Sequence, residues 1–160
     1  MLSIDQLLVI STLLGAAIIG GGLFVFSSFI MPSLAKLEPS SGIAAMQSIN
    51  VVVINLSFIG TFMATAALSV VLLIINLGGA GSMPDRLTDL GAVLYLIGTF
   101  LVTVRGNVPL NNELAAVDPS APEAITVWGR YLERWTRLNT LRTGCSLLAV
   151  LCFAVALTLV

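Results

Sequence analysis

The chain lacks histidine, has only two cysteines, and only 9% of its 160 residues are charged. Without imidazoles the sequence excludes histidine-ligated haem and the usual zinc and copper sites. Cys145 and Cys152 lie in one apolar stretch without the C-x-x-C spacing of thiol redox proteins, so we expect both to be small core residues. Nucleotide-binding glycine motifs are also missing. The sequence therefore predicts neither a metal nor a cofactor.

The shortage of charge decides the broad class. A soluble domain has roughly 25% charged residues, whereas this chain is 58% hydrophobic with a mean hydropathy of +1.05. We expect an integral protein of a bacterial inner membrane. The net charge of −1 offers no surface for nucleic acid. The partners we expect are membrane lipid, a lipophilic small molecule, and a second copy of the chain or another membrane protein.

Four apolar runs can form membrane-spanning helices, each of which needs about 20 residues. They cover residues 7–31, 51–77, 90–104 and 143–160. The predicted fold is all-α: a single four-transmembrane-helix domain over residues 1–160, with a long fourth helix that extends beyond the membrane. The first segment, "MLSIDQ", has no cation and carries Asp5, so we predict that the first helix is retained rather than cleaved as a signal.

The cations of the predicted loops set the orientation. The first and third loops contain six cations: Lys36, Arg105, Arg130, Arg134, Arg137 and Arg142. The second loop contains only Arg86. Because cytoplasmic loops carry the excess of Lys and Arg, both termini are predicted to lie outside the cytoplasm.

Small and hydroxyl residues mark the first two helices. Ala17 and Gly21 lie four residues apart beside the triplet Gly20–Gly22, which predicts close helix packing. In the second helix a hydroxyl stripe repeats every four residues: Ser57, Thr61, Thr65 and Ser69. These hydroxyls can bond the carbonyl one turn back, so the stripe alone does not indicate a water path. The amides Gln47, Asn50 and Asn55 are predicted to lie level with the stretch "RGNVPLNNEL".

That stretch belongs to the third loop. Gly106 followed by Pro109 predicts a helix stop, and "PLNNELAAV" predicts a separate segment of about two turns. The sequence "SAPE", residues 120–123, matches a capping box. The fourth helix is therefore predicted to begin near Pro122.

Helical winding divides the fourth helix into two faces. One face carries Arg130, Glu133, Arg134 and Arg137; the other carries Trp128, Tyr131, Leu132, Trp135, Leu138, Asn139 and Arg142. Arg142 shares its face with tryptophans, so its guanidinium should be desolvated and should need acceptors. We expect Glu113 as its partner, with Asp118 as second choice. The alternatives are a structural pair that holds the short segment, or a cation that reaches the lipid headgroups.

The motifs "VPLNNEL" and "W…RLNTLR" contain Pro109, Asn111, Leu114, Trp135, Asn139 and Arg142. They resemble a small four-helix membrane family of unknown function that includes the fungal anthrone oxygenases. The resemblance implies a bundle with Asn111, Asn139 and Arg142 near one membrane face. It also implies cofactor-independent oxygenation of a lipophilic aromatic or quinone-like substrate at the cytoplasmic end.

Under that resemblance, Glu113 is the expected base, with a pKa raised by burial. Arg142 with Asn111 or Asn139 would hold the developing oxyanion. Trp128 and Trp135 would flank the aromatic substrate, and Asn107 is the third expected substrate-binding residue. The absence of histidine removes the commonest general base.

Two other functions remain open. A binding or assembly protein would use the Trp128–Trp135 face and the small residues of helix one to hold lipid, a partner or a second copy. A small-solute permease would use the hydroxyl stripe of helix two. Ion-coupled transport is disfavoured because no carboxylate lies in the middle of a predicted span.

Overall fold

The computed structural model describes residues 2–77 and 81–159, and these ranges contain five helices. They are α1 (Ile4–Leu34), α2 (Pro39–Val52), α3 (Leu56–Asn76), α4 (Met83–Ala115) and α5 (Ala124–Thr158). All except α2 are long and apolar enough to cross a membrane. The all-α fold, the four candidate spans and the long last helix are thus confirmed, and the protein is an integral membrane protein.

The predicted second span begins too early. Val51 and Val52 end α2, and the chain leaves helical geometry before α3 begins at Leu56. Asn55 causes this new start, because its side chain accepts a hydrogen bond from the backbone N–H of Phe58 at 3.0 Å. Asn55, one of the three amides expected to lie level with the stretch "RGNVPLNNEL", is therefore a helix cap. The helix α2 itself was not predicted.

The predicted stop at Gly106 is wrong. Helix α4 continues to Ala115 through two π-helical stretches, Leu94–Leu101 and Thr103–Asn107. Pro109 lies in the first turn of the α-helical segment that follows the second stretch, where its missing N–H costs little. The segment "PLNNELAAV" is therefore mostly the end of a membrane helix rather than a separate piece.

Helix α5 has 35 residues, which is about 52 Å of helix. Its predicted extension beyond the membrane thickness is confirmed, but the predicted capping box is wrong. No side chain caps α5 at Glu123, and the Ser120 N–H instead donates to Asp118 Oδ1 at 2.9 Å. The helix consequently starts at Ala124, and Val160, the last residue of the predicted span, lies outside the described residues.

The helices define two ends of the bundle. At the "α2 end", α2 packs on the end of α1, the last turns of α4 and the first half of α5. At the "terminal end", the start of α1, the end of α3, the start of α4 and the end of α5 come together. Each end has its own apolar core. The core nearer the terminal end includes Ile19, Phe62, Tyr95 and Phe153, and the core at the α2 end includes Met31, Ile43, Met46, Leu114 and the aromatic side chains of α5.

Glycines let the helices approach closely. A Cβ at Gly15 would collide with Thr65, and a Cβ at Gly98 would collide with Cys145. Gly20 faces Ser146, so part of the predicted glycine surface does pack within the bundle. Gly21 does not, because nothing described lies within 4 Å of its Cβ position. Cys145 packs against Gly98 but, like Cys152, is only partly buried, so neither cysteine lies in the core as expected.

Hydroxyls of the α3 stripe donate hydrogen bonds to carbonyls of the same helix. Thr61 donates to the Ser57 carbonyl at 2.7 Å, and Thr65 and Ser69 each donate to the carbonyl one turn back at 2.8 Å. Thr65 and Ser69 are also buried against neighbouring helices. Nothing in this arrangement favours the permease hypothesis.

Candidate functional site

Arg142 is buried near the α2 end of the bundle, with 7% of its surface exposed. Its position is roughly 24 Å along α5 from Thr158, which places it near the edge of a hydrocarbon layer about 30 Å thick. Arg142 Nε and Nη2 both donate to Asn139 Oδ1, at 3.0 and 2.8 Å, and Nη1 donates to Thr103 Oγ1 at 3.1 Å. Its Cζ lies 5.1 Å from the ring centroid of Trp135, within the range of a cation–π interaction.

The carboxylate expected beside Arg142 is elsewhere. Glu113 forms an ion pair with Arg130, and both side chains are nearly half exposed, at 43% and 44%. Asp118 is exposed in the loop before α5. Because α4 stays helical past Pro109, Glu113 is carried round to the outer face of the helix. The expected Glu113–Arg142 pair is therefore wrong, and every side-chain acceptor of Arg142 among the described residues is neutral.

Asn139 connects this arginine to helix α1. Its side chain is fully buried, and its Nδ2 donates to the Leu23 carbonyl at 2.7 Å and to Ser27 Oγ at 2.6 Å. A π-helical stretch of α1, Phe26–Ile30, begins just after Leu23. With its amide nitrogen bound to α1, Asn139 can offer only its oxygen to Arg142, so it positions the guanidinium.

Asn111 joins the polar group from α4. Its Oδ1 accepts hydrogen bonds from the Tyr131 hydroxyl at 2.9 Å and from Trp135 Nε1 at 2.7 Å. The Tyr131 hydroxyl also accepts from Asn50 Nδ2 at 3.4 Å. No described acceptor is bound to Asn111 Nδ2. Its two N–H groups therefore remain available to a ligand.

These side chains border a cavity of about 410 Å³ between all five helices. The polar residues that line it are Gln47, Asn50, Thr103, Asn111, Asn112 and Arg142. The rest of the wall is apolar and includes Leu23, Phe26, Met46, Phe58 and Trp135. Val51 and Ile54 line the cavity and are also 72% exposed, so it opens beside the junction between α2 and α3. The site is a mostly apolar chamber with a buried cation in its wall.

The comparison with known families bears directly on this chamber. A family model described as anthrone oxygenase matches residues 50–152. The chain belongs to the anthrone oxygenase family. The matched region runs from the end of α2 into the last turns of α5, and so contains Thr103, Asn111, Trp135, Asn139 and Arg142. Neither the curated proteins nor the solved structures provided a match.

Four of the residues that the sequence suggested for this family's site come together. Asn111, Trp135 and Arg142 line the cavity, and Asn139 lies directly behind Arg142. Asn111 bonds to the Trp135 indole, Asn139 lies one turn beyond Trp135 on α5, and the two amides do not bond to each other. Asn111, Asn139 and Arg142, which were expected near one membrane face, therefore lie near the same end of the bundle, and their roles in a site stay a prediction.

Trp128, Asn107 and Glu113 do not line the cavity. Trp128 stacks on Tyr131 with ring centroids 5.7 Å apart and packs against Gly42 of α2. Asn107 is buried and donates to the Trp135 carbonyl at 3.2 Å, while its Oδ1 has no described partner. Glu113 lacks the burial that the role of base requires. The expectation that Trp128 and Glu113 flank or act on a substrate is not supported by their positions.

The sequence reasoning missed Thr103 and Ser27. Thr103 and Thr99 are one turn apart on α4; Thr103 accepts from Arg142, and Thr99 donates to the Arg142 carbonyl at 3.1 Å. That four-residue hydroxyl spacing could have been noticed, as it was in α3. Nothing in the sequence around Ser27 predicts that it receives a hydrogen bond from Asn139. Gln47 and Asn50 were correctly expected at this level of the bundle.

Proposed function

We propose that this protein catalyses the cofactor-independent oxygenation of a lipophilic fused-ring ketone, such as an anthrone, in the cavity beside Arg142. The observation that carries the proposal is the buried guanidinium, whose side-chain acceptors in the described ranges are all neutral and which borders a mostly apolar chamber. Preorganised donors in such a place stabilise charge that develops on a substrate oxygen. Membership of the anthrone oxygenase family supports the choice of substrate class.

The proposed reaction uses O₂ as the oxidant. The ring C–H bond opposite the ketone breaks, the proton leaves, and the electron pair is shared between that carbon and the ketone oxygen. The carbon adds O₂ to form a peroxide, which takes up a proton and loses water as the second C=O forms. One anthrone and one O₂ thus give one anthraquinone and one water.

The residues of the cavity divide this work. Arg142 holds the oxygen on which the negative charge collects, while Asn111 Nδ2 provides a second donor within the same chamber. The indole of Trp135, with Phe26 and Phe58, offers apolar walls to a flat ring system. Asn139 acts through Arg142, since it lies behind the guanidinium and bonds to α1.

The test is oxygen uptake by the purified protein in detergent or nanodiscs with anthrone as substrate. Arg142→Gln should lower the rate by roughly 100-fold, the usual effect of removing one oxyanion donor. The matched control is Arg137→Gln, an exposed cation on the same helix, which should keep the wild-type rate. If folded wild-type protein takes up no more oxygen than the buffer, the oxygenase proposal is wrong.

The assembly hypothesis has less support. The Trp128–Trp135 face expected to hold lipid or a partner is occupied by α1 and α2, since Trp128 meets Gly42 and Trp135 meets Phe26. What remains for an assembly role is the outward face of α1 around Gly21.

For the inner membrane of a bacterium we propose that the α2 end faces the cytoplasm and both termini lie outside. Burial of Arg142 leaves five exposed cations at the α2 end: Lys36, Arg105, Arg130, Arg134 and Arg137; Arg86 is at the other end. In a chain without Cys145 and Cys152, Leu2→Cys should react with an impermeant maleimide in intact cells, and Arg134→Cys only after permeabilisation. The reverse pattern would invert the orientation.

A further inference from the structure

Among the described residues, the cavity wall contains no group that could take a proton from a substrate at neutral pH. All eight acidic side chains lie in the described ranges and none of them lines the cavity, and the chain has no histidine. Glu113, the acid closest along the chain to Asn111, is paired with Arg130 on the outer face of α4. The Tyr131 hydroxyl lies behind the wall and donates its own proton to Asn111. An internal general base is therefore missing from this chamber.

The same wall has hydrogen-bond donors without a described acceptor. A guanidinium carries five N–H groups, and the described residues accept three from Arg142. One N–H on Nη1 and one on Nη2 have no described acceptor, and Arg142 lines the cavity. Asn111 Nδ2 adds two more, because only its Oδ1 is engaged. Arginine stays charged even where desolvated, and it is the only charged residue of the lining.

A buried cation without a carboxylate favours an anion from outside, because neutral hydrogen-bond acceptors offset only part of the cost of its desolvation. We infer that the cavity binds its substrate as the ionised form: an enolate or phenolate of a fused-ring aromatic, with the charged oxygen on Arg142 and Asn111 Nδ2 as a second donor. This inference rests on the proposed function and names its substrate species. The C–H or O–H bond breaks with its electron pair kept by the substrate, and the proton passes to water or buffer rather than to a side chain.

A coloured phenol tests the inference without turnover. The probe is 1,8-dihydroxyanthraquinone, whose visible absorbance changes when a hydroxyl ionises. We expect the detergent-solubilised wild-type protein to bind the anion at least tenfold more tightly than the neutral form. The bound dye should therefore ionise at least one pH unit below the free dye in the same detergent. An unchanged or raised ionisation pH for the bound dye would overturn the inference.

The variants separate charge from shape. Arg142→Gln should abolish the shift in ionisation, whereas Arg137→Gln should keep it. Anthraquinone, which has no ionisable hydroxyl, should bind wild type and Arg142→Gln with the same affinity. If Arg142→Gln does not fold, the wild-type titration still decides, since Arg142 is the only cation of the lining.

Failure of this inference differs from failure of the proposed function. Oxygen uptake with anthrone but no shift for the bound dye would keep the oxygenase and remove the anion site. A shift without oxygen uptake would keep the anion site and remove the oxygenase. Displacement of the dye by phosphatidylglycerol but not by anthrone would assign the site to a lipid phosphate and overturn the inference.

Discussion

Asn139 Oδ1 accepts hydrogen bonds from Nε and Nη2 of Arg142, one turn further along α5, at 3.0 and 2.8 Å. The same amide donates through Nδ2 to the Leu23 carbonyl of α1. One side chain therefore sets both the direction of the guanidinium and the contact between two membrane helices. An amide is suited to this arrangement because it carries a donor and an acceptor at once.

Replacing Asn139 should expose this dependence. We expect Asn139→Leu to lower the free energy of unfolding by roughly 3 kcal/mol, because Nε and Nη2 of the buried Arg142 lose their acceptor. The double variant Asn139→Leu/Arg142→Leu should recover much of this loss, since it removes both partners. Denaturation of wild type, the two single variants and the double variant in mixed micelles would measure this double-mutant cycle. Additive effects of the two single variants would contradict the described pair.

Asn111 offers a separation of fold from ligand binding. Asn111→Asp keeps an oxygen for Tyr131 and Trp135 but places a negative charge in the cavity near Arg142. We expect a folded protein that has lost at least tenfold of its affinity for the ionised dye. Asn111→Leu should instead destabilise the fold by about 1–3 kcal/mol, because two buried donors lose their acceptor. Dye titration and thermal denaturation of both variants measure the difference.

Glu113→Gln should leave oxygen uptake at the wild-type rate. The carboxylate is exposed, bound to Arg130 and absent from the cavity lining. Stability should fall by less than about 1 kcal/mol, as for other exposed ion pairs. Steady-state oxygen uptake at saturating anthrone is the measurement. A hundredfold loss of rate with unchanged folding would restore Glu113 as the base.

Gly98 should be sensitive to a single methyl group. Gly98→Ala places a Cβ against Cys145, and we expect a loss of about 1–3 kcal/mol from overpacking. Cys145→Gly in the same chain should recover part of it. The control is Gly144→Ala on α5, where nothing lies within 4 Å and helix propensity predicts a gain of up to about 1 kcal/mol. Melting temperatures in one detergent compare the three variants.

Gly21→Leu addresses the assembly hypothesis. The Cβ position of Gly21 faces open space, so the fold of one chain should tolerate leucine without loss of stability. If α1 contacts a second copy through this face, the variant should shift the protein from oligomer to monomer. Light scattering of detergent-solubilised protein measures the mass. An unchanged oligomer would exclude Gly21 from the contact between copies.

Much of the fold follows from hydropathy. A segment that crosses the hydrocarbon must satisfy its backbone hydrogen bonds internally, so a long apolar run predicts a membrane-spanning helix. The faces of α5 were also predictable: Trp128, Tyr131, Trp135, Asn139 and Arg142 are buried, and the arginines of the opposite face are exposed. A period of 3.6 residues suffices for such an assignment.

The contacts between helices were not predictable in the same way. Gly106 and Pro109 are ordinary stop signals, yet the π-helical stretch before Pro109 keeps α4 continuous. Because α4 is continuous, Glu113 faces away from Arg142, and Thr103 is the α4 side chain that accepts a hydrogen bond from Arg142. A π-helical stretch depends on the surrounding packing and has no strong sequence signal, so a local reading of "RGNVPLNNEL" assigns the wrong acceptor.

The interruption between α2 and α3 also decides how a guest reaches the chamber. Three aliphatic side chains surround the opening and are largely exposed: Val51 at 72%, Ile54 at 72% and Leu56 at 89%. Lipid acyl chains can contact these side chains. A guest dissolved in lipid can enter sideways without first passing through water. The ligand would then bind from the bilayer, and occupancy of the cavity would depend on the mole fraction of ligand in the lipid. Diluting a loaded bilayer with empty lipid, at constant total guest, therefore lowers occupancy as surely as withdrawing the guest itself.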